Sequence, residues 1–179
     1  MAAVSAVVRA DSGSGGPFDL INGIPLHPLV VHLAVVAVPA AAIGLLVMVV
    51  RPGFSRRYGG WVLGLAAVGL GAAFLAKESG ERLEERVGEP GFNHAALGDV
   101  MPIVAGMLLL AVAALYVVDR YVGEQAPSRR ILRIVAAVAA VALALGNVVW
   151  IYRVGDSGAK SVWSPEVSSS TPASGSDGD

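Results

Sequence analysis

The sequence has no cysteine among its 179 residues. This excludes disulfide bonds, zinc sites built on thiolates, iron–sulfur clusters, covalently attached c-type haem and reactions that use a cysteine nucleophile. Catalytic triads, phosphate-binding P-loops, dinucleotide-binding glycine motifs and His-Glu-x-x-His zinc motifs are missing as well. Nothing in the sequence indicates an enzyme.

Charged residues are scarce. They make up 15% of the chain, while 55% of the residues are hydrophobic, and a soluble globular domain has about 25% charged residues. A chain with so few charges cannot cover a soluble surface of its own size, which favours a membrane protein in a lipid bilayer. The formal net charge of −1 excludes a nucleic-acid partner that is bound through bulk basicity.

The apolar residues run together in four blocks of 17 to 22 residues. A bilayer core of about 30 Å is crossed by roughly 20 helical residues, and backbone polar groups in lipid must be satisfied within the helix itself. No block has a polar stripe at helical spacing, which argues against a soluble bundle. We therefore predict an all-α fold, an integral membrane four-helix bundle with short loops. The predicted spans are residues 29–50, 60–77, 97–118 and 132–152.

The two ends of the chain are polar. We interpret residues 1–25 as an N-terminal tail and residues 26–160 as the transmembrane domain. Residues 161–179 are mostly Ser, Gly, Pro and Asp, and such a segment is predicted to be a disordered tail because it has almost nothing to bury.

Small residues favour a tightly packed bundle, because membrane helices approach closely only where side chains are small. Gly60, Gly64 and Gly71 fall on one face of the second helix, and Gly98 and Gly106 on one face of the third. These faces predict close packing without specifying which helices pair.

The orientation prediction rests on arginine in short loops. Residues 51–59 and 119–133 carry seven of the 13 basic residues. We place both loops in the cytoplasm, so that the protein lies in the plasma membrane of a bacterium with both termini extracytoplasmic.

Polar residues gather at one level, on the outer side of the predicted bundle. His27 and His32 lie near the start of the first helix, Glu78 near the end of the second, and His94 and Asp99 at the start of the third. The cytoplasmic half is expected to contribute almost no polar groups. Because an ionisable group within a membrane helix is a functional hypothesis by default, this outer layer is the candidate site.

Two ligand sets fit this layer. Two histidines on different helices, such as His32 and His94 with His27 nearby, are suited to act as axial ligands of a b-type haem. Alternatively, a divalent metal is held by imidazoles and carboxylates. The residues of that metal site are His27, His32, His94, Glu78 and Asp99.

Other interpretations remain open. The same polar groups can bond to one another and to water at the membrane edge, with no ligand. A second alternative is a non-catalytic accessory or assembly subunit of a membrane complex, and a third is a membrane protein that binds a quinone or an ion. The partners considered are a membrane redox complex and a second copy of the chain. A transporter is disfavoured because no polar residue is predicted at mid-membrane.

Four segments carry a family resemblance. They are residues 26–32 (LHPLVVH), 76–81 (AKESGE), 94–99 (HAALGD) and 152–159 (YRVGDSGA). Together they resemble a bacterial family of four-span membrane proteins, the domain-of-unknown-function family 2231, over about residues 20 to 163.

The resemblance implies the four-span fold and no established reaction. Relatives fused to redox domains make a redox role in the membrane attractive by analogy. Two positions depart from the family pattern, which often has an aromatic residue where this chain has Leu33 and an acidic residue near Asn147. The second departure puts a metal-binding role for Asn147 in doubt.

Overall fold

The computed structural model describes residues 20–21, 24–88 and 90–169. Four helices account for almost all of this part of the chain, which confirms the predicted all-α membrane bundle. The helices are α1 (Leu26–Val50), α2 (Pro52–Val87), α3 (His94–Tyr121) and α4 (Arg129–Ser169). A two-residue antiparallel pairing of β1 (Leu20–Ile21) with β2 (Ile24–Pro25) precedes α1.

All four helices are long and apolar enough to cross a membrane. The helices α2 and α4 have 36 and 41 residues, so at about 1.5 Å per residue they are far longer than a bilayer core of about 30 Å. Helix α4 continues to Ser169, nine residues into the segment predicted to be disordered. The Ser161 hydroxyl in that extension donates to the Gly91 carbonyl oxygen at 2.8 Å, which anchors the helix to the loop before α3. The predicted N-terminal tail before residue 20 and residues 170–179 lie outside the described residues.

Short connections make consecutive helices antiparallel. Arg51 alone joins α1 to α2, residues 88–93 join α2 to α3, and residues 122–128 join α3 to α4. The starts of α1 and α3 therefore lie beside the last parts of α2 and α4, and we call this the histidine end. The opposite end of the bundle is called the arginine end.

The closest helix packing is at glycines other than those predicted, although a Cβ atom at the predicted Gly60 would lie 3.6 Å from Tyr116 and one at Gly106 3.9 Å from Leu70. A side chain at Gly44 of α1 would lie 2.9 Å from Val62 of α2, and one at Gly69 of α2 would lie 3.0 Å from Val38 of α1. These two glycines let α1 and α2 approach. The predicted positions with nothing within 4 Å are Gly64, Gly71 and Gly98.

The arginine end contains a buried ionic cluster, which corrects the expectation that this half of the bundle lacks polar groups. The Asp119 side chain is fully buried, and its Oδ1 accepts a 2.8 Å hydrogen bond from Nε of Arg133. Arg133 also donates to the carbonyl oxygens of Met48 and Val49 at 3.4 and 2.9 Å. The last carbonyls of α1 have no amide partner within the helix, and the arginine supplies one together with a favourable positive charge.

We predict that Asp119→Ala lowers the free energy of unfolding by about 2–3 kcal/mol, because removing one partner of a buried pair leaves the other charge uncompensated. The loss falls below the figure for full burial because 23% of the Arg133 side chain remains exposed. Thermal unfolding in mild detergent, followed by circular dichroism, measures the change. The matched control is Arg56→Ala, which removes an exposed pair with Glu124 and is expected to cost less than about 1 kcal/mol. Equal losses in the two variants would contradict the prediction.

Candidate functional site

His27 is the second residue of α1, and its ring lies against α2. The distance from Nδ1 to the carbonyl oxygen of Ala76 is 2.8 Å, and Oγ of Ser79 lies 3.5 Å from the same nitrogen. A Cβ atom at Gly80 would lie 3.1 Å from Cε1 of the ring. The imidazole therefore fills space that any side chain at Gly80 would occupy.

His94 is the first residue of α3, and it contacts α4 in the same way. Its Nδ1 lies 3.2 Å from the carbonyl oxygen of Val154 and 3.0 Å from Oγ of Ser157. A Cβ atom at Gly158 would lie 2.9 Å from Cε1 of the ring. Each of the two hairpins thus holds one imidazole at the histidine end.

These contacts fix which ring nitrogen carries the proton. A carbonyl oxygen only accepts hydrogen bonds, so Nδ1 of each imidazole donates and Nε2 is the acceptor of the neutral ring. Neither Nε2 atom makes a hydrogen bond within the described part of the chain, which leaves two acceptor nitrogens at one end of the bundle.

A serine followed by a glycine marks the place on α2 and on α4 where each ring packs. The Ser79 hydroxyl donates to the Leu75 carbonyl oxygen at 2.6 Å, and the Ser157 hydroxyl donates to the Val154 carbonyl oxygen at 2.8 Å. A serine hydroxyl that donates to a carbonyl oxygen of the preceding turn is compatible with the helix. Its oxygen then has lone pairs free to face the imidazole. The glycine that follows each serine leaves room for the ring.

The structure brings together only part of the predicted site. His27 and His94 lie at the same end of the bundle, in the first turns of α1 and α3. His32 is exposed, and its Nδ1 contacts the Pro28 carbonyl oxygen of its own helix. Asp99 is 55% exposed and its Oδ1 lies 3.3 Å from Nζ of Lys77.

The predicted five-residue metal site is not assembled. Glu78 is half-buried on α2, but within residues 24–88 and 90–164 no group of three or more histidine, aspartate or glutamate side chains is close enough to hold a metal ion. The histidine pair is the part of the predicted layer that the fold concentrates.

A second polar contact joins α3 and α4 on the core side of the imidazoles. The indole Nε1 of Trp150 donates to the Leu97 carbonyl oxygen at 3.1 Å, which ties α4 to the first turns of α3. One turn earlier on α4, Asn147 is buried and donates to the Leu143 carbonyl oxygen, while its Oδ1 has no hydrogen-bond partner among the described residues. Asn147 therefore lies on the core side of the polar layer.

Sequence reasoning missed the residues that hold the rings. Ser79 and Ser157 were not singled out, and neither were the glycines that follow them. A signal was present, because an acidic residue, a serine, a glycine, any residue and a basic residue follow one another at residues 78–82 and again at residues 156–160.

A bundle of four membrane-spanning helices with a histidine pair at one end defines a four-span integral membrane protein. The chain belongs to the domain-of-unknown-function family 2231 (DUF2231), described as a predicted membrane protein, whose profile matches residues 23–171. That match includes all four helices and both imidazole sites, and it confirms the family resemblance of the sequence. Searches of curated proteins and of solved structures gave no significant match.

We predict that Gly80→Ala and Gly158→Ala each lower the thermal unfolding midpoint in mild detergent. The new methyl group displaces the ring and breaks its bond to the carbonyl, and overpacking of this kind costs about 1–3 kcal/mol. The matched control is Gly155→Ala, where nothing lies within 4 Å and the gain in helix propensity of up to about 1 kcal/mol is free to appear. If all three variants unfold at the same temperature, the imidazoles do not occupy these positions.

Proposed function

We propose that this protein binds a b-type haem through His27 and His94 and transfers electrons at the membrane surface. The observation that carries the proposal is the shared geometry of the two rings. Each Nδ1 is held by a backbone carbonyl of a neighbouring helix, and this is the arrangement that orients metal-ligating histidines and makes them better ligands. Each Nε2 is then left for iron.

The number of available ligands favours haem over a divalent metal ion. The porphyrin supplies four nitrogens, so the protein has only to supply axial ligands, and two histidines on separate helices of a bundle suffice. A divalent metal site takes three or four protein ligands, and within residues 24–88 and 90–164 the histidines and carboxylates form no such group.

The geometry changes one member of the expected ligand pair. The sequence suggests His32 and His94, but the ring equivalent to His94 in its contacts is that of His27. His32 bonds within its own helix and is exposed. We therefore assign the axial positions to His27 and His94, and His32 becomes the natural control residue.

The proposed orientation places the haem on the extracytoplasmic side of the plasma membrane. Seven of the 13 basic residues lie within residues 51–59 and 119–133, at the connections and adjoining helix ends of the arginine end. Short segments rich in arginine between membrane spans remain in the cytoplasm. The proposed electron-transfer partner is then a redox protein of a membrane complex that faces the same side.

The test is the visible absorbance spectrum of the full chain, purified in mild detergent from cells supplied with a haem precursor. We expect a Soret band with α and β bands in the reduced form, and about one haem per chain by pyridine haemochrome assay. His27→Ala and His94→Ala are expected to lose most of the bound haem, whereas His32→Ala keeps it. Far-UV circular dichroism of each variant confirms that the bundle is folded.

Three results would overturn the proposal. The first is the absence of a Soret band even after reconstitution with haem. The second is a stoichiometric metal without haem, which would favour the metal site instead. The third is loss of haem in His32→Ala to the same degree as in His27→Ala, since His32 would then be the ligand.

A further inference from the structure

A short motif is repeated on the two helices that receive the imidazoles. Residues 78–82 read ESGER and residues 156–160 read DSGAK, 78 positions later. In both copies an acidic residue precedes the Ser-Gly pair, and a basic residue follows four positions after the acid. The first copy lies on α2 and the second on α4.

The atoms around the two copies match as well. In each copy the carbonyl three residues before the serine accepts from an imidazole Nδ1, in Ala76 at 2.8 Å and in Val154 at 3.2 Å. The serines differ in detail: the Ser157 hydroxyl donates to this carbonyl at 2.8 Å, whereas the Ser79 hydroxyl donates to the Leu75 carbonyl at 2.6 Å and lies 3.2 Å from that of Ala76. Oγ lies 3.0 Å from Nδ1 of His94 and 3.5 Å from Nδ1 of His27.

The topology places the two copies in equivalent positions. The hairpin α1–α2 begins at its histidine and the hairpin α3–α4 begins at the other, and all connections are short. If α1 is exchanged with α3 and α2 with α4, the contact between α1 and α4 becomes the contact between α2 and α3. The structure has both of these contacts. A two-fold axis parallel to the helices would make this exchange, with α1 and α3 in contact across it.

We infer that the bundle is a duplicated helical hairpin in which Ser79 and Ser157 are corresponding positioning residues, which hold His27 and His94 in the Nδ1–H tautomer and leave Nε2 of each ring as the acceptor. The serine proton is committed to a backbone carbonyl, so its oxygen presents a lone pair to Nδ1. Nδ1 therefore faces two acceptors, a carbonyl oxygen and a hydroxyl oxygen. If the proton were on Nε2 instead, the lone pair of Nδ1 would face the lone pairs of both oxygens. The ligand proposed for the two Nε2 atoms is haem, and to this extent the inference rests on the proposed function.

The first experiment needs no ligand. The full chain is labelled with 15N-histidine in detergent micelles, and because it has three histidines each ring is assigned from the single His→Ala variants. Long-range 15N–1H spectra at neutral pH report which ring nitrogen carries the proton. We expect the Nδ1–H tautomer for both His27 and His94, with Ser79→Ala changing the tautomer ratio of His27 alone and Ser157→Ala that of His94 alone.

Two further variants separate positioning from packing. Ser161→Ala is the matched control, because its hydroxyl bonds only to backbone carbonyls of Gly91 and Ser157 within the described residues, and it leaves both tautomer ratios unchanged. Ser157→Thr keeps the hydroxyl and restores the ratio that Ser157→Ala disturbs. Different tautomers in the two rings, or serine variants without any effect on them, would overturn the inference.

The second experiment uses haem b titrated into the ligand-free protein. Loss of a partner that orients a ligating histidine weakens metal binding by about tenfold or more, so Ser79→Ala and Ser157→Ala are each expected to raise the dissociation constant by about tenfold, and by similar factors. A large effect in one variant and none in the other would contradict a two-fold site. Should the wild-type chain bind no haem, the proposed function fails, and the tautomer experiment alone decides the inference.

Discussion

Two backbone carbonyls, of Ala76 and Val154, carry the interactions on which the histidine end depends. A helical carbonyl accepts one bond from the amide four residues later and has a second lone pair, which here the imidazole Nδ1–H shares with a serine hydroxyl of the same helix. An unpaired N–H at this depth would cost a few kcal/mol. The position of each ring is therefore set by a regular helix and not by a loop, and it requires α2 and α4 to continue past the starts of α1 and α3.

At the arginine end, the groups that need hydrogen-bond partners are carbonyl oxygens at the end of a helix. The last carbonyls of α1 have no amide partner, and Arg133 of α4 reaches them while the buried carboxylate of Asp119 balances its charge. Desolvation of the two charges offsets much of their attraction, so the cluster fixes the arrangement of α1, α3 and α4 more than it adds stability. Between the two ends the core is built from small and apolar side chains. Its fully buried members include Ala41, Ala42, Leu45, Leu108 and Val112.

The sequence predicts the number of helices, because the thickness of a bilayer sets the length of each apolar block. It does not predict which face of a helix points inward, since lipid and core are equally apolar and hydrophobic periodicity is lost. For this reason Gly64 was expected in an interface and Gly69 was not. Asp119 was assigned to a loop because the apolar block ends at Val118, although α3 continues to Tyr121. The level of the candidate site was predictable from helix ends, but the pairing of each imidazole with a Ser-Gly element depends on the rotation of α2 and α4.

The likeness of the two hairpins stops one turn inside the histidine pair. The residue five positions after His27 is His32, and the residue five positions after His94 is Asp99. Asp99 forms an ion pair across to α2 with Lys77, whereas His32 bonds within α1. The position equivalent to Lys77 on α4 is occupied by Gly155, which cannot form such a pair. The contacts of His27 and His94 thus resemble each other, while the residues beside them differ in charge and hydrogen bonding. A ligand held by the two rings as proposed would meet unlike surroundings on its two sides, and the difference in energy between them would favour one of its two orientations.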